Sequence, residues 1–131
     1  MQIEQDHRHR SRVDRGRVGY QAGLAAEDIV ERDYARRGIA VCARRWRGQG
    51  GEIDLVLRDG DELIFVEVKK SRSFDSAARH LTPRQAARIL AAAAEFAGTE
   101  PLGELTPMRF DVGLVNQSGQ VRILENAIGH D

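Results

Sequence analysis

Asp54, in the run Gly51-Glu52-Ile53-Asp54-Leu55-Val56, stands thirteen residues before Glu67, which with Val68 and Lys69 forms a Glu-x-Lys triplet at the end of an apolar run beginning at Leu63. Two acids and a lysine on buried strands are costly to fold, because a carboxylate taken out of water must be paired or metal-bound. On a strand, alternate side chains share a face, so Glu67 and Lys69 lie together, as do Glu52 and Asp54. If the strands pair, Asp54 comes beside Glu67. Carboxylates that close repel unless one keeps a proton or a cation intervenes. Magnesium takes oxygen ligands and is commonly held by one or two carboxylates plus phosphate. A lysine alongside would offset negative charge developing on phosphorus. The competing reading is a plain Lys69–Glu67 or Lys69–Asp54 salt bridge at a sheet edge. The apolar setting and the upstream acids favour chemistry.

The elements that must position these residues follow from periodicity. Ala22, Ala25, Ala26, Ile29, Val30 and Tyr34 recur at helical steps, predicting a helix over 17–37 that Gly38 stops, with Glu27 on the edge of its apolar stripe. Residues 39–47 read as a strand. Strands 52–57 and 62–68 are joined by Arg58-Asp59-Gly60-Asp61, a hairpin signal, and the second is apolar on both faces, which predicts a central position. Thr82, Pro83 and Gln85 spell an N-cap, a first-turn proline and a capping box for a helix reaching about residue 97. Strands 108–115 and 121–124 close the chain. The order α-β-β-β-α-β-β predicts an α/β protein with a mixed sheet of about five strands flanked by helices.

The chain has 131 residues, 41% of them hydrophobic and 31% charged, which is ordinary for one globular domain. Residues 1–14 are polar and aperiodic and read as a flexible arm, His7 and His9 included; residues 15–131 read as a single domain. The sequence shows neither an 18-residue apolar span nor a signal peptide, so no membrane association is expected. The lone Cys42 fits a reducing compartment, with the cytoplasm as the default, and reads as a core thiol. Net charge is zero, yet arginine supplies 18 of the 20 basic residues, and Arg36, Arg37, Arg44, Arg45 and Arg47 fill a window without an acid. Guanidinium suits phosphate. A solvated charged face would read the same way.

Asp…Glu-x-Lys on adjacent strands resembles the core of the PD-(D/E)XK, restriction-endonuclease-like superfamily. More narrowly the chain resembles the YraN-like family of uncharacterised bacterial proteins, through GLAAED at 23–28, Gly38, RRWRGQGGEIDLV at 44–56, IFVEVK at 64–69, LTPRQ at 81–85, RFDV at 109–112 and ENA at 125–127. The resemblance implies a three-layer restriction-endonuclease-like fold, similar to Holliday-junction resolvases. It implies Glu27, Asp54, Glu67 and Lys69 as catalytic residues. Asp54, Glu67, the carbonyl of Val68 and, as an auxiliary, Glu52 would hold Mg2+ or Mn2+. The chain departs from many relatives at Ala26 before Glu27, at Lys70-Ser71-Arg72, at Phe74-Asp75 and at Gln85.

Arg44, Arg45, Arg47, Arg72, Arg84 and Arg88 are the expected contacts to a nucleic-acid backbone. Trp46 reads as packed beside the sheet rather than stacked on a base, and Asp111 as an ion-pair partner of Arg109. The expected function is a metal-dependent endonuclease acting on DNA (RNA being open), selective for structure such as branched intermediates, with a homodimer as the expected assembly. The alternative is a nucleic-acid-binding module of the same fold with little or no turnover, and a third reading is a protein-interaction scaffold.

Overall fold

The computed structural model describes residues 15–128; the arm at 1–14, with its two histidines, lies outside them. Helix α1 (Arg15–Arg36) is followed by strands β1 (Ala40–Arg47), β2 (Glu52–Asp59) and β3 (Glu62–Lys70), helices α2 (Phe74–Arg79) and α3 (Pro83–Ala97), a 3-10 turn at Gly103–Leu105, and strands β4 (Met108–Val115) and β5 (Val121–Leu124). This is the expected order with one short helix, α2, added. Its cap is Ser73, whose hydroxyl accepts the N–H of Ser76 at 3.1 Å. At six residues it is too short for a periodic apolar signature.

The sheet runs β1-β2-β3-β4-β5 in space. All neighbours are antiparallel except β3 and β4, which are parallel across eight paired residues from Leu63–Met108 to Lys70–Val115. A parallel return needs a long crossover, and α2 with α3 supplies it. The doubly apolar strand β3 is indeed central, buried without a break from Leu63 to Val66. The β2–β3 hairpin closes at Asp59–Glu62 over two residues, and Gly60 takes φ 62° there, a conformation that glycine enters at no steric cost.

Helices cover both faces of the sheet. On one, Ala26, Val30 and Tyr34 of α1, at four-residue spacing, pack on Leu55, Leu57, Ile64, Val66 and Val115. Gly113 lets α1 lie close, since a Cβ there would meet the Val30 methyls at 2.9 Å. On the other face Ala92 and Ala93 of α3 pack on Ile53, Val56, Leu63 and Phe65. Small residues on α3 bring that helix near enough for Phe96 to meet Trp46 and Phe65 edge-on, at ring separations of 5.3 and 5.8 Å. Trp46 is therefore packed, as expected. Cys42 is not a core thiol: it is exposed, at an irregularity of edge strand β1 where the register slips between Val41 and Ala43.

Both helix ends anticipated in the sequence form as their residues dictate. Gly38, at φ 79°, lets the N–H of Ile39 reach back to the carbonyl of Tyr34 and end α1. Thr82 and Gln85 exchange reciprocal hydrogen bonds in a capping box at the start of α3. No helix among the described residues is long and apolar enough to cross a membrane.

Candidate metal centre

Pairing between β2 and β3 stops at Leu55–Val66, one step short of Asp54. Beyond that point the strands part, and Asp54 replaces the missing ladder: its Oδ2 accepts the backbone N–H of Val68 at 2.7 Å. In an extended strand the N–H and C=O of one residue project to the same side, so the Val68 carbonyl also faces the split. The expected side-by-side register of Asp54 and Glu67 is thus replaced by a side chain reaching across a fork.

Three of the four expected catalytic groups meet at this fork. The Glu67 carboxyl lies in the field of the Asp54 carboxylate. Lys69 Nζ lies 3.2 Å from Glu67 Oε2, and both side chains are mostly shielded, at 14% and 13% exposure. Burial, first, and then the charge of Asp54 push the Glu67 carboxyl up to about 8 from an ordinary 4.5; Lys69 pulls the other way without cancelling them. Burial beside a second carboxyl thus raises the proton affinity of Glu67, and the Lys69 ammonium only partly offsets it.

Glu27 approaches from α1. It flanks the buried stripe, one turn before Glu31, and both glutamates face β1: Glu31 takes a two-pronged contact from Arg44 at 2.6 and 2.8 Å, and Glu27 lies 3.8 Å from Arg45 Nε. Burial and the charge of Asp54 push Glu27 up to about 7, with Arg45 opposing and Glu52 adding to the rise. Glu27 thus sits in the field of the fork and carries the signature of an under-compensated carboxyl. Glu52 does not join the pair; Arg47 engages it at 3.3 Å.

Among the described residues no three acid, histidine or cysteine side chains form a ready-made cation cage. The donor set is two neighbouring carboxyls, one of them paired with Lys69, plus a main-chain carbonyl on the same side. A hard divalent cation that keeps most of its water needs no more protein than that. The residues fit magnesium or manganese.

The expected phosphate-binding arginines divide into two groups. Every arginine of the 36–47 window meets an acid from elsewhere: Arg36 and Arg37 meet Asp33, Arg37 also Glu125, Arg44 Glu31, Arg45 Glu27 and Arg47 Glu52. Arg72, Arg84 and Arg88, by contrast, are exposed and make no ion pair among the described residues. Two features escaped the sequence reading. Glu95 of α3 accepts the N–H groups of Gln49 at 2.8 Å and Gly50 at 2.7 Å, clamping the turn that leads into Glu52 and Asp54. The glycines of that turn are the signal: a Cβ at Gly50 would lie 2.8 Å from the Ala91 Cβ. The other is Tyr34, whose hydroxyl donates to buried Asp111 at 2.7 Å, joining the Arg109 pair that was anticipated. A tyrosine in a helical stripe gives no hint of such a partner.

Comparison with known proteins covers this whole centre. The family model described as Uncharacterised protein family UPF0102 matches residues 26–115, from the residue before Glu27 to the end of β4. The chain is 58% identical to a UPF0102 protein of Ruegeria pomeroyi over 118 residues, which is 90% of this chain and 96% of that one. It is 55% identical to a UPF0102 protein of Roseobacter denitrificans over 118 residues, 90% and 92% of the two chains. A UPF0102 protein of Cereibacter sphaeroides is 56% identical over 112 residues, 86% and 96% of the two.

Proposed function

This chain belongs to the UPF0102 family, the YraN family, and on that premise we propose that it is a metal-dependent endonuclease hydrolysing phosphodiester bonds in DNA. The observation that carries the reading is the gathering of Asp54, Glu67 and Lys69 where β2–β3 pairing ends: Asp54 holds the Val68 N–H at 2.7 Å, and Lys69 lies 3.2 Å from the carboxyl of shielded Glu67, the residue before Val68. A shielded carboxyl whose proton affinity is raised by burial and a neighbouring carboxylate is suited to take a cation in place of the proton. Bound there by Asp54, Glu67 and the Val68 carbonyl, Mg2+ or Mn2+ would supply a water of lowered pKa and a counter-charge for the phosphate. Asp54 is already oriented by the Val68 N–H. Lys69 lies beside the pair, where its ammonium can offset charge developing on a phosphate oxygen.

Substrate positioning falls to the arginines that no acid compensates. Arg72 follows the Glu-x-Lys strand, and Arg84 and Arg88 stand one turn apart at the start of α3, where backbone amides add positive character. Arg44 and Arg47 contribute only by leaving Glu31 and Glu52. Phosphate contacts fix register without reading sequence, so selectivity for DNA structure, such as a branch, is the form of recognition that this set supports. Cutting both strands of a junction is served by a two-fold dimer, which sedimentation would reveal.

The deciding experiment incubates supercoiled and synthetic branched DNA, with a matched RNA, in Mg2+, Mn2+ or EDTA. Cleavage in metal that disappears in Glu67→Gln and Lys69→Ala, while both variants still bind DNA, is the expected result. DNA binding that ignores EDTA, with no cleavage in either metal, would instead make the protein a binding module. Absence of DNA affinity even at low salt, where phosphate contacts are strongest, would leave a protein-interaction scaffold.

A further inference from the structure

The first residues of β2 are held differently from the rest of the strand. Pairing with β3 covers only Leu55 to Asp59, while pairing with β1 continues to Arg47–Glu52, its register passing from Leu55 to Ile53 over Asp54. Strand alternation would leave Ile53 and Leu55 on one face of the sheet. Instead Leu55 packs with α1, and Ile53 packs with α3 beside Trp46. The tip of the β1–β2 hairpin is rolled towards α3, and Asp54 lies within the roll.

α3 receives that tip on one face, through Arg88, Ala91 and Glu95, which are three and four residues apart. The Gly48 N–H donates to the Gly51 carbonyl at 2.9 Å and closes the turn. The N–H groups of Gln49 and Gly50 both run to the Glu95 carboxylate, one to each oxygen, at 2.8 and 2.7 Å. Successive backbone N–H groups on one carboxylate form a charge-assisted pair, stronger than neutral backbone bonds. Glycine makes the approach possible: a Cβ at Gly50 would lie 2.8 Å from the Ala91 Cβ, and one at Gly51 would lie 3.2 Å from the Arg88 Cβ. Phe96, next along α3, meets Trp46 edge-on. Glu95 supplies the hydrogen bonds in a contact otherwise made of packing.

Resting on the proposed hydrolytic centre, we infer that Glu95 is a positioning residue: by latching the Gln49-Gly50 turn to α3, it keeps β2 parted from β3 at the fork and fixes Asp54 where its carboxylate meets the Val68 N–H and a cation. Without the latch, residues 52–54 shift against β3. Asp54 reaches Val68 at 2.7 Å, and a displacement of about 1 Å carries the two beyond hydrogen-bond range. The latch also seats Gly51 on Arg88, so that the acid offered to the cation and an arginine offered to the substrate belong to one rigid unit.

Hydrogen exchange of single amides, followed by NMR without metal, reads the Asp54–Val68 bond directly. In Glu95→Ala the Val68 amide should exchange about tenfold faster, as a local opening of the fork requires. The Leu63 amide, bonded to the Pro107 carbonyl at 2.9 Å at the other end of β3, should keep its wild-type rate. Mn2+, titrated calorimetrically, should bind about tenfold more weakly, the effect of losing a group that orients a metal ligand. Gly50→Ala pushes the turn off α3 through the Ala91 contact with Glu95 intact; it should reproduce both changes, and it decides the matter where Glu95→Ala does not fold. Thr82→Ala weakens the same helix without touching the turn and should alter neither readout, which separates positioning from general destabilisation. An unchanged Val68 amide in either folded variant overturns the inference. So does a faster Val68 amide with unaltered Mn2+ affinity, or a Thr82→Ala variant showing the same losses. A wild type that takes up no Mn2+ overturns the hydrolytic centre, while the Val68 amide still decides whether Glu95 holds Asp54 in place.

Discussion

Asp54 and Asp111 are both strand aspartates between apolar neighbours, and the sheet treats them in opposite ways. Asp111 is fully buried and fully answered. It accepts from Tyr34 at 2.7 Å, from Nε and Nη2 of Arg109 at 3.0 Å each, and from the backbone of Asn126 at 2.9 Å. Four donors from α1, β4 and the segment after β5 converge on it, so it ties the chain's ends to the sheet. Asp54 receives one backbone N–H and then faces another carboxyl. A carboxylate whose lone pairs are all satisfied holds a fold, and removing it leaves its donors stranded. Two neighbouring carboxyls with a single lysine for counter-charge keep affinity for a cation. Compensation, more than burial, separates the structural acid from the chemical one.

The contrast breaks most visibly at Asp111. Asp111→Ala strands the Tyr34 hydroxyl and the Arg109 fork and should cost about 3–5 kcal/mol of folding stability, the range for breaking a buried pair; urea denaturation measures it. A loss below about 1 kcal/mol, typical of surface changes, would remove the structural half of the comparison. The same substitution at Asp54 should leave the fold much less affected while abolishing cleavage.

Next in size is Lys69. Lys69→Ala should slow DNA cleavage by about 100- to 1000-fold, as removal of one charge-stabilising donor does, with the melting curve close to wild type. Cleavage that falls no further than DNA affinity would assign Lys69 to binding.

The pH dependence sharpens the picture from the side of stability. Folding raises Glu67 to about 8 and Glu27 to about 7 from an ordinary 4.5. A carboxyl with a raised folded pKa costs nothing while both states are protonated, below about pH 4.5. Its penalty grows as pH rises and is complete above the folded value, so stability is lost on the way from pH 5 to pH 8. Glu67→Gln should remove much of that loss, making the variant more stable than wild type by on the order of 2 kcal/mol at pH 8.5 and by little at pH 5. Mg2+ should raise the melting temperature of the wild type at pH 8.5 and leave Glu67→Gln where it is. A flat difference between the two proteins across this range would show that folding does not raise the Glu67 carboxyl.

The smallest effect concerns the helix that backs the site. Thr82→Ala removes the hydroxyl that accepts the Gln85 N–H at 3.2 Å and should cost about 1 kcal/mol, with cleavage unchanged. A larger fall in activity than in stability would mean that the start of α3 takes part in gripping substrate, through Arg84 and Arg88.

Much of this protein was determined by local chemistry and is readable along the chain. The stripe from Ala26 to Tyr34, the glycine ending α1, the Asp-Gly hairpin, the capping box at Thr82 and the unbroken apolar run of β3 each act within a few residues, and each took the form that its residues require. The Glu-x-Lys pair and Asp54 were recognisable because charge inside an apolar strand has no cheap structural explanation. What only the tertiary structure decided was which charges are compensated. The arginines of the 36–47 window look free in the sequence, yet every one of them meets an acid brought by α1, β2 or the segment after β5. Asp111, which alternates with apolar residues much as Asp54 does, is silenced by a tyrosine 77 positions away. Apart from the contacts of Arg36 and Arg37 with Asp33 one turn earlier, those pairings arise because the fold brings separate segments within a few ångströms. Electrostatic compensation falls off with distance in space, and separation along the chain carries no record of it.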